Sequence, residues 1–260
     1  MKRTTTFNND LPAAEATRLW QQFGLDDTNE LAFENLAMTL GVLVFDGPLN
    51  SADAWLLRKG NKGLMRVSDS IREPGRRRFA IAHELGHWKL HQSVTQLVSC
   101  TTEDMVARYQ GSSPEVEANV FAAELLMPLH LFRPAIEEPP TAKLINCLAD
   151  RFETSRTSTA FRITELTQRS FLIVLSKSGH VKWWQASEAL QNKIWIRQNK
   201  PVPSSSVAAQ CFNGQESPTT PQEVPLNDWL TRNNTNAESI FEDVIPMPEY
   251  DQVLSLLWLD

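Results

Sequence analysis

His83-Glu84-Leu85-Gly86-His87, set within the run Arg76-Arg77-Arg78-Phe79-Ala80-Ile81-Ala82 that precedes it and Trp88-Lys89-Leu90-His91 that follows, is the stretch on which the reading of this chain turns. An α-helix puts residues i and i+4 on one face. His83 and His87 can therefore share one ion, with Glu84 beside them as a candidate general base for an attacking water. With five histidines in 260 residues, a chance His-Glu-x-x-His is expected in roughly one such chain in a hundred. The competing reading is an ordinary amphipathic helix with solvated histidines. Pro74 suits the first turn of a helix, and the residues from Arg76 to His91 contain no proline and one glycine. Phe79, Ala80, Ala82, Leu85 and Leu90 predict a broad buried surface that would fix the imidazoles. Gly86 costs about 1 kcal/mol of helix stability relative to Ala, so it predicts close approach of another backbone, for which a neighbouring strand is the expected partner.

Two histidines leave a catalytic zinc site one protein ligand short. The source expected for the third is a second helix over residues 115–127, capped by Ser112 or Ser113, with Pro114 at its start and Pro128 at its stop. Ala118, Phe121 and Ala122 have the spacing to pack it closely on the first helix. Glu115, 115 − 87 = 28 residues after His87, is the preferred third ligand. Asn119, one turn on, can orient a ligand imidazole. Glu117 sits about 200° around the helix from Glu115, so only one of the two can face an ion. Spacing alone leaves Glu117, Glu124, Glu103 and Asp104 open as alternatives.

Arg77 to His87, together with Glu115-x-x-Ala118-Asn119-x-Phe121-Ala122-Ala123-x-Leu125-Leu126-Met127-Pro128 and Leu148-Ala149-x-Arg151-Phe152, resembles the ImmA/IrrE metallo-endopeptidases. The likeness is good over about residues 65 to 170, weaker at Gly179 to Trp183, and slight before residue 40. It implies a zincin-like cytoplasmic peptidase of the gluzincin type, in which His83, His87 and Glu115 bind the metal and Glu84 is the base. It also implies a substrate, a helix-turn-helix transcriptional repressor whose cleavage induces a mobile element or a stress response. Zinc is the default ion for two imidazoles and a carboxylate, and manganese, iron or cobalt suit the same donors.

A net charge of −6 argues against generic nucleic-acid binding as the main task. Cys100, Cys147 and Cys211 are odd in number and far apart, which fits reduced thiols rather than disulfides or a cysteine zinc site. Met1 to Asp10 has no apolar segment after its basic residues, and no uncharged run approaches a membrane span, so a cytoplasmic protein without membrane contact is expected. Arg76, Arg77 and Arg78 oppose the dipole at a helix start, which predicts acidic partners for them.

The fold expected overall is α+β, a mainly helical peptidase core with a small sheet, then a helical pair, then a C-terminal β-rich module. Helices are predicted over Ala13 to Phe23 and Glu30 to Leu40, and strands at Val42 to Phe45, Ala54 to Leu57 and Gly63 to Val67. An extended substrate could add to the edge of that sheet. The peptidase unit is placed at 1–140 and a helix-turn-helix-like segment at 141–170, expected to close the core. Its five basic against three acidic residues make a weak DNA reader. The β-rich module is placed at 171–260, with a hairpin turning at Ser178-Gly179, a long irregular loop at 198–225 and a final strand from Gln252 to Leu259. Trp183, Trp184, Trp195 and Trp229 are read as core rather than as a recognition surface.

Tyr109, His130 and Arg162 are candidates to stabilise an oxyanion. His91 lies about 12 Å along the axis from His83 and is expected to be a surface histidine outside the site. Two other function classes remain: a metal-binding regulator that sequesters a repressor without cutting it, and a DNA-binding regulator acting through residues 141–170.

Overall fold

The computed structural model describes residues 10–27, 32–50, 52–91, 98–100, 114–136 and 139–259. Glu103, Asp104, Tyr109, Ser112 and Ser113 lie outside the described residues. The protein is α+β and divides into two compact units, residues 1–131 with 150–155, and residues 132–149 with 156–260.

In the first unit, α1 (Asp10–Phe23) and α2 (Phe33–Thr39) precede three strands, β1 (Val42–Gly47), β2 (Ala54–Lys59) and β3 (Lys62–Ser68). Helix α3 (Pro74–Leu90), the short strand β4 (Val98–Cys100), α4 (Pro114–Leu126) and α5 (Leu129–Phe132) follow. The sheet order is β1-β3-β2-β4, with β1 parallel to β3 and the other pairs antiparallel. Ala54, Leu56, Met65 and Val67 are buried at alternate positions, while Leu43 and Leu57 are exposed, as a half-covered sheet requires. Across that second face Arg66 lies between Phe45 and Trp55, 5.0 and 5.3 Å from their ring centres.

Every residue of α3 from Phe79 to Trp88 is buried. Such a helix is covered on all sides, and its small residues Ala80, Ala82 and Gly86 admit neighbours at close range. It packs on α4, on β2 and β3, and on α2 and α1. Burial of Phe79, Ile81 and Leu85 contributes roughly 1.5–3 kcal/mol each. At Gly63 an added Cβ would lie 3.0 Å from the Trp88 ring, so the strand backbone comes directly against that ring. Each arginine at the helix start has an acidic partner, as expected. Arg76 donates to both oxygens of Asp53 at 2.9 and 2.7 Å, Arg77 pairs with Glu34 and Asp46, and Arg78 lies 2.6 Å from Glu153.

The second unit holds the start of α6 (Ala142–Phe152), then α7 (Arg156–Leu166), and the antiparallel sheet β6-β5-β11-β10-β8. Its strands are β5 (Phe171–Lys177), β6 (His180–Ala186), β8 (Gln222–Pro225), β10 (Ser239–Met247) and β11 (Gln252–Trp258). A small ribbon pairs β7 (Ile194–Trp195) with β9 (Arg232–Asn233), and two short helices, α8 (Val207–Phe212) and α9 (Leu226–Trp229), complete the unit. The β5–β6 hairpin turns where predicted, with Ser178 at φ +51° and Gly179 at φ +71°, the left-handed pair that a two-residue turn needs.

Helix α7 packs on β5 and β6. Its residues Ser158 to Thr164 are all buried, Arg162 included, and Arg156 donates to Asn146 at 2.6 Å. A DNA-reading helix needs a free side-chain face, and those seven consecutive positions do not supply one. The stretch 198–225 is not irregular throughout, since it contains α8 and β8. The acceptor that fixes α8 comes from far along the chain. Glu242 is fully buried and takes the N–H groups of Val207 and Ala208 at 2.9 and 3.1 Å and the Trp229 indole at 3.3 Å. Burial pushes Glu242 up, and those donors oppose the shift without cancelling it. Of the tryptophans, Trp229 is core, Trp183 stacks on Phe161 at 5.0 Å, and Trp195 is 57% exposed with its ring edge-on to Trp184. Among the described residues no helix is long and apolar enough to cross a membrane.

Candidate metal centre

Helices α3 and α4 meet without a side chain between them. A Cβ built on Gly86 would lie 2.9 Å from Ala118 Cα and 3.1 Å from Ala118 O. The close approach predicted for Gly86 is therefore to a helix, not to a strand. The reason is that Ala118 has the smallest side chain compatible with a stable helix and stands opposite the one residue that has none.

The contact brings one i, i+4 pair on α3 against another on α4. His83 Nε2 and His87 Nε2 are 3.0 Å apart, and Glu115 Oε2 lies 3.1 Å from the first and 3.4 Å from the second. Among the described residues, His83, His87 and Glu115 are the one group of three such side chains able to converge on an ion. Two nitrogens and an oxygen each about 2.0–2.1 Å from a tetrahedral zinc would be about 3.3 Å from one another. The observed triangle has nearly that size, so the donors fit a zinc-like cation.

Asn119, one turn after Glu115, sets the first imidazole. His83 Nδ1 is 2.9 Å from Asn119 Oδ1. With the amide oxygen as acceptor, the ring proton sits on Nδ1 and Nε2 keeps its lone pair toward the triangle. Both His83 and Asn119 are buried, so this pairing is shielded from competing water.

Glu84 is fully buried, and among the described residues neither of its carboxyl oxygens finds a hydrogen-bond partner. Burial, reinforced by the charge of Glu115, pushes it well above the usual carboxylate range. Burial also acts upward on Glu115, yet the His83 and His87 rings set against it outweigh that and hold the carboxyl well below the usual range. Two neighbouring carboxyls are thus driven apart in acidity, one ready to hold a proton and one to hold a cation.

The remaining candidates lie elsewhere. Glu124 accepts the Leu129 N–H at 2.9 Å and caps the turn into α5. His130 is exposed with its ring against Trp20, and Arg162 belongs to the second unit, 3.4 Å from Glu165. Glu117 pairs with His91 Nε2 at 2.9 Å, and His91 Nδ1 is 3.0 Å from His87 Nδ1. His91 is therefore not a surface histidine. Its backbone N–H still bonds to His87 O at 3.0 Å, so the i, i+4 geometry of the helix brings its ring to His87 before the chain turns away at φ −116° and ψ 54°. The signal that could have found it is its i, i+4 spacing from His87.

Residues 37–164 match the family model of the IrrE N-terminal-like domain, Peptidase_M78. Among solved structures, a Mycobacterium tuberculosis transcriptional regulator is similar in fold at 16% sequence identity and a TM-score of 0.61, over 95% of this chain and 76% of that one. Comparison with the curated proteins finds no match.

Proposed function

The chain belongs, through residues 37–164, to the ImmA/IrrE family, and from that premise we propose that it is a zincin-like metal-dependent endopeptidase that cuts a helix-turn-helix repressor. The observation that carries the reading is Glu84, a buried carboxyl with no partner at either oxygen among the described residues, next to a triangle of donors sized for a cation. A buried carboxyl without a partner is costly in a purely structural site and useful where a water must lose a proton. His83, His87 and Glu115 would hold the ion, which supplies Lewis acidity to the scissile carbonyl and to water. Glu84 takes the proton of the attacking water and returns it to the leaving amine. Asn119 keeps His83 in the tautomer that faces the ion. Among the described residues the sheet of the first unit ends at β1 and β4, edges to which an extended substrate can add by backbone hydrogen bonds.

The alternative reading, a regulator that sequesters the repressor without cutting it, gives Glu84 no task. The test is to incubate the protein and zinc with the helix-turn-helix repressor encoded nearest to it, and to follow the repressor by mass spectrometry. Cleavage that drops about 100- to 10,000-fold in Glu84→Gln with zinc still bound supports the peptidase. Relief of repression with the repressor intact, and unchanged in Glu84→Gln, overturns it.

A further inference from the structure

The geometry points to His91 and Glu117 as a positioning relay that sets His87 for metal binding, an inference that rests on the metal-centre reading above. Two imidazole nitrogens 3.0 Å apart share a single proton, so of His87 Nδ1 and His91 Nδ1 one donates and the other accepts. A cation held at His87 Nε2 would decide which, because that ring could then carry its proton only on Nδ1. His91 Nδ1 is placed to accept it, and Glu117 Oε2, 2.9 Å from His91 Nε2, is placed to accept the proton that His91 then carries there. His87 Nε2 is thereby left for the ion, in a triangle with His83 Nε2 at 3.0 Å and Glu115 Oε2 at 3.4 Å. His83 reaches the same tautomer through Asn119. The two imidazoles are thus oriented from opposite sides, one by an amide and one by an imidazole backed by a carboxylate. The His91 side chain is only 10% exposed, so water competes little for its contact with the buried His87.

Zinc affinity, measured by competition with a chromogenic chelator, tests the relay in His91→Leu and His91→Asn. Leucine keeps apolar bulk without an acceptor and should weaken zinc binding about 10- to 100-fold. Asparagine, whose Oδ1 can stand where Nδ1 stood, should recover most of that loss. Long-range proton–nitrogen NMR of the zinc-loaded protein should show His91 protonated on Nε2 and bare at Nδ1, a readout that does not depend on how the variants fold. His91→Leu binding zinc as tightly as the unaltered protein, or a proton on His91 Nδ1, overturns the inference. Neither measurement involves cleavage. Zinc affinity that follows His91 in a protein that cuts nothing overturns the peptidase reading and leaves the relay standing, and cleavage with affinity indifferent to His91 does the reverse.

Discussion

Replacing Gly86 by Ala sets two effects of known size against each other. The methyl would enter 2.9 Å from Ala118 Cα, 3.1 Å from Ala118 O and 3.2 Å from Phe121 Cδ1, where ordinary contact begins near 3.4 Å. The first two are backbone atoms and cannot rotate away, so α3 and α4 must part by about 0.5 Å at this point. Overpacking of this kind costs about 1–3 kcal/mol, while the gain in helix propensity is about 1 kcal/mol. The net loss of stability is then only about 0–2 kcal/mol. Metal affinity separates the effects better, because Gly86 adjoins His87 and Ala118 adjoins Asn119. Strain relieved by parting the helices returns when the donors close on an ion, an added cost of about 1–2 kcal/mol or roughly tenfold in affinity. Urea unfolding of the metal-free protein gives the first quantity, and chelator competition for zinc gives the second. A Gly86→Ala variant about 1 kcal/mol more stable, with unchanged zinc affinity, would refute the claim that this contact sets the site.

Asn119→Ala should weaken zinc binding about 10- to 100-fold while Asn119→Asp, which keeps an acceptor oxygen, loses much less; equal losses in a chelator titration would count against the tautomer argument. In the metal-free protein Glu84 has a folded pKa raised above its ordinary 4.5, so its contribution to stability is full below that value and is lost as pH rises through the folded pKa. The advantage of Glu84→Gln over the unaltered protein in urea unfolding should therefore grow with pH, and a constant difference would contradict the burial argument. Arg76→Ala strands Asp53, whose side chain is 12% exposed, but the arginine is 34% exposed, so the expected destabilisation is about 1–2 kcal/mol rather than that of a fully buried pair.

Much of the first unit was legible because its signals are local. Pro74, Pro114 and Pro128 mark helix limits, and Ala54, Leu56, Met65 and Val67 are buried at alternate positions of β2 and β3. His83 and His87 needed only a helix. Glu115 needed more, since which carboxylate would face an ion depends on how α4 is rotated on α3, and the 27 residues of intervening chain carry no such instruction. Gly86 announced a close neighbour but not its kind, because a glycine registers distance and not identity. Glu242 and α8 went unread for a related reason. A helix of six residues has too few positions to show a period, and besides its cap Ser206 the carboxylate that takes its first N–H groups lies 35 residues beyond Val207. The expectation for His91 fails because it weighs the distance from His83 and not the i, i+4 spacing from His87.

The two buried carboxyls make sense only as a pair. Without a cation, the charge of Glu115 adds to burial in raising Glu84, so the proposed base keeps its proton to higher pH than an ordinary carboxyl does. Positive charge placed among His83, His87 and Glu115 would offset Glu115 and lower Glu84 at the same time. The residues that would hold the ion would thus also govern when the neighbouring carboxyl can accept a proton. In a site built in this way loading and base strength are tied together through the proximity of Glu84 to Glu115, without a moving part. That proximity is fixed by the Gly86–Ala118 contact, so helix packing, metal affinity and base strength should change together when the contact is altered.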